Sequence, residues 1–299
     1  MRKRASSALF HYRYSLVNVR DSFMRGVFLF CAIFSLFALG CICVFLFANG
    51  APFIGKIGFA NFFGTKWNIN EGAYGILPMI AASLLVTALA TAIGVMIGLC
   101  TAVSLYKFCP AKAVPVIRQV INLLAGIPSV IYGLFGMIII VPYLRDYVSP
   151  AGVGYGILAA SLVLSIMVLP TIVSVSLDAL NAVPKTYFEG ALALGATEAQ
   201  SVFRLMIPAA KSGISAAVVL SVGRTIGETM AVIMVIGGSP VMPQSLFQSV
   251  RTLTANIAMG ATELRGDAAT ALVSTGVVLF FFTLLLNACF SLLKGGREK

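Results

Sequence analysis

Long stretches without charged side chains divide the chain of 299 residues into apolar segments. A transmembrane helix needs about 20 such residues to cross about 30 Å of hydrocarbon. Transmembrane β-strands would instead give alternating segments of about ten residues, a pattern that this sequence does not show. We therefore predict an all-α integral membrane protein with six transmembrane helices, within residues 26–55, 72–106, 119–144, 147–177, 212–238 and 268–293.

The composition of the chain is that of a membrane protein. Hydrophobic residues make up 59% of it and charged residues 10%, whereas a typical soluble domain is about 25% charged. Too few polar side chains remain to cover a water-facing surface. These figures exclude a soluble enzyme, a disordered chain and a disulfide scaffold.

Lys and Arg are concentrated in alternate connections between the predicted helices. The N-terminal tail, the second-to-third and fourth-to-fifth connections and the C-terminal tail carry 15 of them, and the other connections carry 5. Since the side richer in Lys and Arg is the cytoplasmic one, we expect both termini in the cytoplasm. The net charge of +11 therefore sets orientation and forms no outer funnel for anions.

These patterns divide the chain into tails, a first helix, an outer connection and a core. The first uncharged run is too long for the apolar region of a cleaved signal, which holds about 7–15 residues. We therefore expect a retained membrane helix. The parts are the cytoplasmic tail 1–25, the first transmembrane helix 26–49, the periplasmic connection 50–75, a core of five transmembrane helices over 76–293 with the cytoplasmic loop 178–211, and the cytoplasmic tail 294–299.

The loop 178–211 has the pattern of two short amphipathic helices. Pro184 suits a helix start, where its missing N–H costs little. Gly195 can end that helix, and Thr197 with Gln200 has the spacing of a capping box that begins the next one. Such helices either dock into the groove of a partner protein or lie on the lipid surface, and the pattern alone does not separate the two.

Arg224 and Glu228 are the charged pair inside the fifth apolar segment. An ionisable group at membrane depth costs roughly 2.5–3.5 kcal/mol on insertion scales, so both are expected inside a helix bundle. Four residues apart on one helix, they share a face and can pair. The guanidinium either meets an anion in a translocation path, since its fork suits a tetrahedral oxyanion, or only forms a structural ion pair.

Gly126 and Pro128 interrupt the third apolar segment. Proline removes a backbone donor and bends a helix, and such breaks are tolerated in membranes where protein or a cavity satisfies the freed groups. Interrupted helices often flank transport sites. A plain proline kink with a packing role is the alternative interpretation.

The sequence lacks the signatures of several catalytic sites. It has no phosphate-binding loop for ATP, no H-E-x-x-H and no G-x-S-x-G. Its single histidine lies far from the cysteines, so we expect no metal site. We therefore expect a transport subunit, driven by a separate ATPase or by an ion gradient. A membrane-embedded enzyme that acts on lipid head groups is the less favoured alternative.

Three stretches resemble signatures of one family, the phosphate permeases of ABC importers. The region with Glu189-Gly190-Ala191, Gly195 and Leu205–Pro208 resembles the E-A-A loop, the coupling helix that is seated on the ATPase in that family. Gly223–Ala231 resembles G-R-x-x-G-E-T-M-A, and Leu124–Gly133 resembles A-G-I-P-S-V-x-Y-G. With Trp67-Asn68 and Gly75–Pro78, the chain is more similar to the PstC-type subunit than to the PstA-type subunit.

The resemblance implies a type I ABC-importer (MetI-like) permease in the bacterial inner membrane that forms half of a phosphate pathway by alternating access. Its implied partners are a PstA-type permease, a cytoplasmic ATPase dimer that binds ATP and Mg²⁺, a periplasmic phosphate-binding protein and membrane lipid, but no nucleic acid. Another oxyanion such as sulfate, molybdate or phosphonate is the alternative substrate, and a secondary carrier the alternative mechanism. No cofactor is expected in this chain.

The same resemblance assigns roles to eleven positions. Four are expected along the substrate pathway, five at the contact with the ATPase and two at the helix break. They are Arg224, Glu228, Thr229 and Ser129; Tyr187, Glu189, Gly190, Ala191 and Gly195; and Gly126 and Pro128.

Overall fold

The computed structural model describes the backbone of residues 2–295 and the side chains of residue 21 and residues 23–288. Most of the predicted tail 294–299, and the side chains of residues 1–20, lie outside the described residues. Twelve α-helices make up most of the described chain: α1 (Arg2–Ile57), α2 (Phe59–Phe62), α3 (Leu77–Phe108), α4 (Val114–Ala125), α5 (Ser129–Val148), α6 (Ile157–Ala182), α7 (Lys185–Ala193), α8 (Glu198–Ala209), α9 (Lys211–Gly227), α10 (Met230–Ile236), α11 (Leu253–Gly260) and α12 (Asp267–Gly295).

Five of these helices are long and apolar enough to span a membrane. They are α1 over Phe23–Ile57, α3, α5, α6, and α12 over Asp267–Ala288. Helices α8 and α9 reach the same length only together, with a bend of 67° between them. Counted as one span, they complete the predicted six.

Two of the predicted spans, the third and the fifth, are interrupted. The first predicted span, in α1, extends further than expected. Residues 119–144 are not one helix, because α4 ends at Ala125 and Pro128 takes an extended conformation with ψ 139°. Residues 212–238 are divided at Glu228, which is also extended, with φ −70° and ψ 130°. Helix α1 continues to Ile57, so the predicted connection 50–75 begins as helix.

A small hairpin fills the rest of that connection. Strands β1 (Trp67–Asn68) and β2 (Ala73–Tyr74) pair antiparallel, with Trp67 opposite Tyr74. The two aromatic rings stack edge to face, with centroids 5.7 Å apart, and both are buried against Phe53, Ile76 and Leu253. Trp67 and Tyr74 therefore hold the hairpin against α1 and α11 as a compact cap.

Helix α6 is the central helix of the bundle. It packs against α3, α4, α9 and α10, and two-thirds of its apolar stretch is buried inside the chain. Contact with α3 is close at two glycines, since a Cβ at Gly94 would lie 2.8 Å from Val168 Cγ2 and one at Gly98 would lie 2.7 Å from Ile172 Cγ2. Small residues at this spacing let two membrane helices approach closely.

The two ends of α6 define two ends of the molecule. At its start, Gly156 N–H donates to the Val235 carbonyl and Leu158 N–H to the Leu246 carbonyl. At its end, Leu180 is buried with Val202 and Met206 of α8. A helix of 26 residues is about 39 Å long. We call these the hairpin end, which also holds β1 and β2, and the α7–α8 end.

We expect Gly98→Val to destabilise the fold, whereas Gly40→Val, at a helical glycine with no atom within 4 Å of an added Cβ, has little effect. Overpacking at the α3–α6 contact costs about 1–3 kcal/mol. Thermal unfolding of the purified protein in detergent measures the difference. Equal melting temperatures for the two variants would contradict the close contact at Gly98.

Candidate functional site

The two helix interruptions lie next to each other inside the bundle. Helix α5 begins just after the first interruption and packs along α10, which begins just after the second. The contact is close: a Cβ at Gly133 would lie 2.9 Å from Ala231 Cα and 2.8 Å from Met234 Sδ. The fold thus brings Gly126–Pro128 and Glu228–Thr229, about 100 residues apart in the sequence, to one region.

The first interruption is held by a tyrosine that sequence reasoning did not single out. Tyr132 is buried, and its hydroxyl donates to the Leu124 carbonyl over 2.7 Å. That bond gives the Leu124 carbonyl, at the end of α4, a side-chain donor. Pro128, four residues further on, has no N–H that could donate to it. Ser129 then begins α5, a helix of 20 residues, without a side-chain cap. Ile131 N–H donates to the Pro128 carbonyl over 3.0 Å, so the N–H groups of Ser129 and Val130 are the ones that could meet an anion.

The second interruption is held from three directions. Glu228 accepts a hydrogen bond from the Ala231 N–H at its Oε1 atom over 3.2 Å, and so caps α10. Its backbone carbonyl accepts from Thr254 Oγ1 over 3.0 Å. Thr229 donates from its hydroxyl to the Gly227 carbonyl over 3.2 Å. A backbone break at this depth is stable because these bonds replace the missing helical ones.

Arg224 lies in the last turn of α9, immediately before this second interruption. The structural ion pair with Glu228, one of the two alternatives that the sequence left open, is not formed among the described side chains. Pairing of residues four apart requires a continuous helix, and α9 ends at Gly227. Arg224 is exposed in this chain and lies one helical turn before the interruption at Glu228.

The loop between α6 and α9 forms the second candidate site, and its predicted local structure is confirmed. Helices α7 and α8 are joined by Gly195, whose φ of +84° favours glycine. Thr197 Oγ1 accepts from Gln200 N over 3.2 Å, while Gln200 Oε1 accepts from Thr197 N over 3.0 Å. This is the expected capping box at the start of α8.

Three of the predicted docking residues line one groove between α7 and α8. Tyr187, Gly190 and Ala191 form its α7 wall, and Gln200 and Arg204 lie on the α8 side. Glu189 is exposed beside this groove but does not line it, and Gly195 forms the turn at its end. This groove is open and has a volume of about 460 Å³. It lies at the α7–α8 end.

Lys107, at the end of α3, connects that surface to the membrane helices. Its Nζ lies 3.3 Å from Glu198 Oε1 at the start of α8 and 4.4 Å from the centroid of the Phe188 ring in α7. Arg118 of α4 and Asp178 of α6 form a second ion pair at the same end. Sequence reasoning counted both basic residues only toward topology, because their partners are 60 or more positions away.

Comparison with known proteins identifies the family of this chain. Residues 94–295 match the family of binding-protein-dependent transport system inner membrane components. The chain is 40% identical over 230 residues to the probable ABC transporter permease protein YqgH of Bacillus subtilis, covering 74% of each chain. It is 36% identical over 276 residues to the phosphate transport system permease protein PstC of Mesorhizobium japonicum, covering 86% of this chain and 84% of that one.

A solved structure shows the same fold at lower identity. The inward-facing MetNI methionine ABC transporter matches with a TM-score of 0.61 at 20% identity, covering 75% of this chain and 96% of that chain. The expected MetI-like architecture is therefore confirmed. Interrupted helices, an amphipathic loop at one end and these matches agree: the chain belongs to the binding-protein-dependent transport system inner membrane components, the multi-pass permease subunits of ABC transporters, and within them to the PstC-type permeases.

Proposed function

We propose that this chain is one of two permease subunits of an ATP-driven importer of inorganic phosphate. The observation that carries the proposal is the position of Arg224, a cation without a carboxylate partner among the described side chains, at the meeting of two interrupted helices. The phosphate-transport name of the PstC relatives, at 31–36% identity over most of the chain, supports the same substrate.

The chemistry around Arg224 suits a tetrahedral oxyanion. A guanidinium presents paired N–H donors that match two oxygens of phosphate. The uncapped start of α5 adds backbone N–H groups and the Ser129 hydroxyl. Among the described side chains Glu228 forms no ion pair with Arg224, and its Oε1 atom caps α10. Thr229 contributes a second hydroxyl at the same interruption.

A second permease completes the pathway in this proposal. Arg224 is exposed in the single chain, and at membrane depth an uncovered charge is costly. A related permease of the PstA type, packed against the same face, would enclose the site and supply the other half of its lining. A phosphate-binding protein would then deliver substrate at the hairpin end.

The α7–α8 end is the proposed contact with the ATPase subunits. The chain lacks a phosphate-binding loop, so ATP and Mg²⁺ bind to the partner and not to this subunit. Movement of the ATPases would shift α7 and α8 together. Lys107 would pass that shift to α3, and the direct bend between α8 and α9 would pass it to Arg224.

We expect Arg224→Gln to lower ATP-dependent phosphate uptake about 10- to 100-fold, because hydrogen bonds to a charged group are worth about 1.5–3 kcal/mol. Arg224→Lys should retain part of the uptake, since it keeps the charge but loses the paired donors. The exposed Lys112→Gln is the control. Uptake of radiolabelled phosphate into proteoliposomes that hold the complete importer is the measurement.

Three results would contradict the proposal. Uptake by Arg224→Gln at the wild-type rate would remove Arg224 from the pathway. Competition by excess sulfate or molybdate as strong as by unlabelled phosphate would assign the importer to another oxyanion. Uptake by this chain without its ATPase would indicate a secondary carrier instead.

We expect Glu189→Lys to abolish co-purification of the ATPase subunit, because it reverses a charge at the α7–α8 surface. Glu263→Lys makes the same change at an exposed site near the hairpin end and should leave the complex intact. Affinity purification of the tagged permease from detergent extracts measures ATPase recovery. Equal recovery with both variants would place the ATPase contact elsewhere.

A further inference from the structure

Arg251, at the hairpin end, is a cation whose two hydrogen-bond partners carry no charge. Its guanidinium is partly buried, and it donates from Nε to the Gly238 carbonyl over 2.7 Å and from Nη1 to Asn256 Oδ1 over 3.2 Å. Both partners are neutral. Among the side chains that the structure describes, no carboxylate lies within 4 Å of it.

The surroundings of Arg251 leave hydrogen-bond donors unused. A guanidinium carries five N–H groups, and the two bonds above engage two of them. Asn256 is 1% exposed, and its Nδ2 atom is buried with no acceptor within reach. Because Oδ1 and Nδ2 end the same short side chain and Oδ1 contacts the guanidinium, the unused amide donor lies beside it.

Burial makes this concentration of donors unfavourable unless an acceptor meets them. It lowers the pKa of the Arg251 guanidinium, since the charged form loses water. A buried donor without an acceptor also carries its full desolvation cost. An anion with several acceptor oxygens would relieve both costs, whereas a cation or an apolar ligand would relieve neither.

The frame around these residues is rigid. Gly237 and Gly238 form a turn with φ of +91° and +88°. Gly238 N–H donates to the Val250 carbonyl, and Val250 N–H donates to the Ile236 carbonyl just before the turn. Thr252 caps α11 by accepting from Ala255 N over 3.3 Å. Arg251 and Asn256 are thereby held on either side of the first turn of α11.

The same turn of α11 reaches the second helix interruption. Thr254, between Arg251 and Asn256 in sequence, donates to the Glu228 carbonyl. Leu253 N–H donates to Ser83 Oγ of α3 over 3.0 Å. Arg251 is therefore separated by one short helical turn from the residues that hold the backbone beside Arg224. Binding of a ligand at Arg251 would act on them through this turn.

We propose that Arg251 and Asn256 form a second oxyanion site, which receives phosphate at the hairpin end before it reaches Arg224. This inference rests on the proposed function, because it places the site on the same pathway. Arg251 supplies the charge and Asn256 an amide donor, and α11 links the occupied site to the interruption at Glu228.

Asn256→Asp is the decisive variant. The aspartate has nearly the same shape and still accepts from Arg251 Nη1, so the fold should melt at the same temperature or higher. It replaces the unused donor by a negative charge and neutralises Arg251. We expect the KM for inorganic phosphate to rise about tenfold or more, the loss of one charge-assisted bond, while the ATPase still co-purifies.

The matched control is Asn61→Asp, which adds the same charge at an exposed position of the hairpin end. It should leave the KM for phosphate unchanged. Arg251→Lys should fall between wild type and Asn256→Asp, because it keeps the charge and loses the planar donors.

Restoring a positive charge at position 251 distinguishes a binding role of Arg251 from a structural one. Arg251→Cys should recover low KM after modification by a cationic thiosulfonate reagent and not after modification by an anionic one of similar size, both read against unmodified wild type. A merely structural Arg251 would show equal responses to the two reagents, and that result overturns the proposal.

The outcome also separates this inference from the function it rests on. If wild-type importer transports no phosphate, the proposed function fails. If wild type transports phosphate, Arg224→Gln abolishes uptake and Asn256→Asp leaves the KM unchanged, only the second site is rejected.

Discussion

Inside a bilayer every backbone polar group needs a partner within the protein, and the whole arrangement of this permease depends on that constraint. Two of its membrane segments are interrupted, which would be unstable in contact with lipid. Tyr132 closes one interruption, and Glu228 with Thr254 closes the other. Tyr132 joins α5 to the end of α4, and Thr254 joins α11 to the Glu228 carbonyl, so both breaks depend on the packing of neighbouring elements.

This requirement has a consequence for charge. Glu228 caps α10 through its Oε1 atom and forms no ion pair with Arg224 among the described side chains. The arginine is left exposed beside the second helix interruption. In the proposed importer a second permease would cover this charge, and the arginine would then serve to recognise the anion.

The α7–α8 surface and the membrane site are joined through short physical links. Helix α8 leads directly into α9, the helix that carries Arg224, across a bend of 67°. Lys107 ties the same loop to α3, and α3 packs closely along α6. In the proposed mechanism, displacement of the loop would therefore pass through packed helices.

The sequence alone determined the membrane class, the number of spans, the two-helix loop with its capping box and the interruption at Gly126 and Pro128. It predicted the fifth segment as a continuous helix, and only the structure showed the interruption at Glu228. These properties follow from local composition and spacing: apolar length, proline, glycine and cap residues act within a few positions of themselves. Tertiary structure alone decided that the interruptions meet, that Arg224 and Glu228 do not pair, and that Lys107, Tyr132, Thr254 and Arg251 take part. Each of these depends on a partner that is distant in sequence or beyond a helix end, where helical periodicity no longer predicts which side chains share a face.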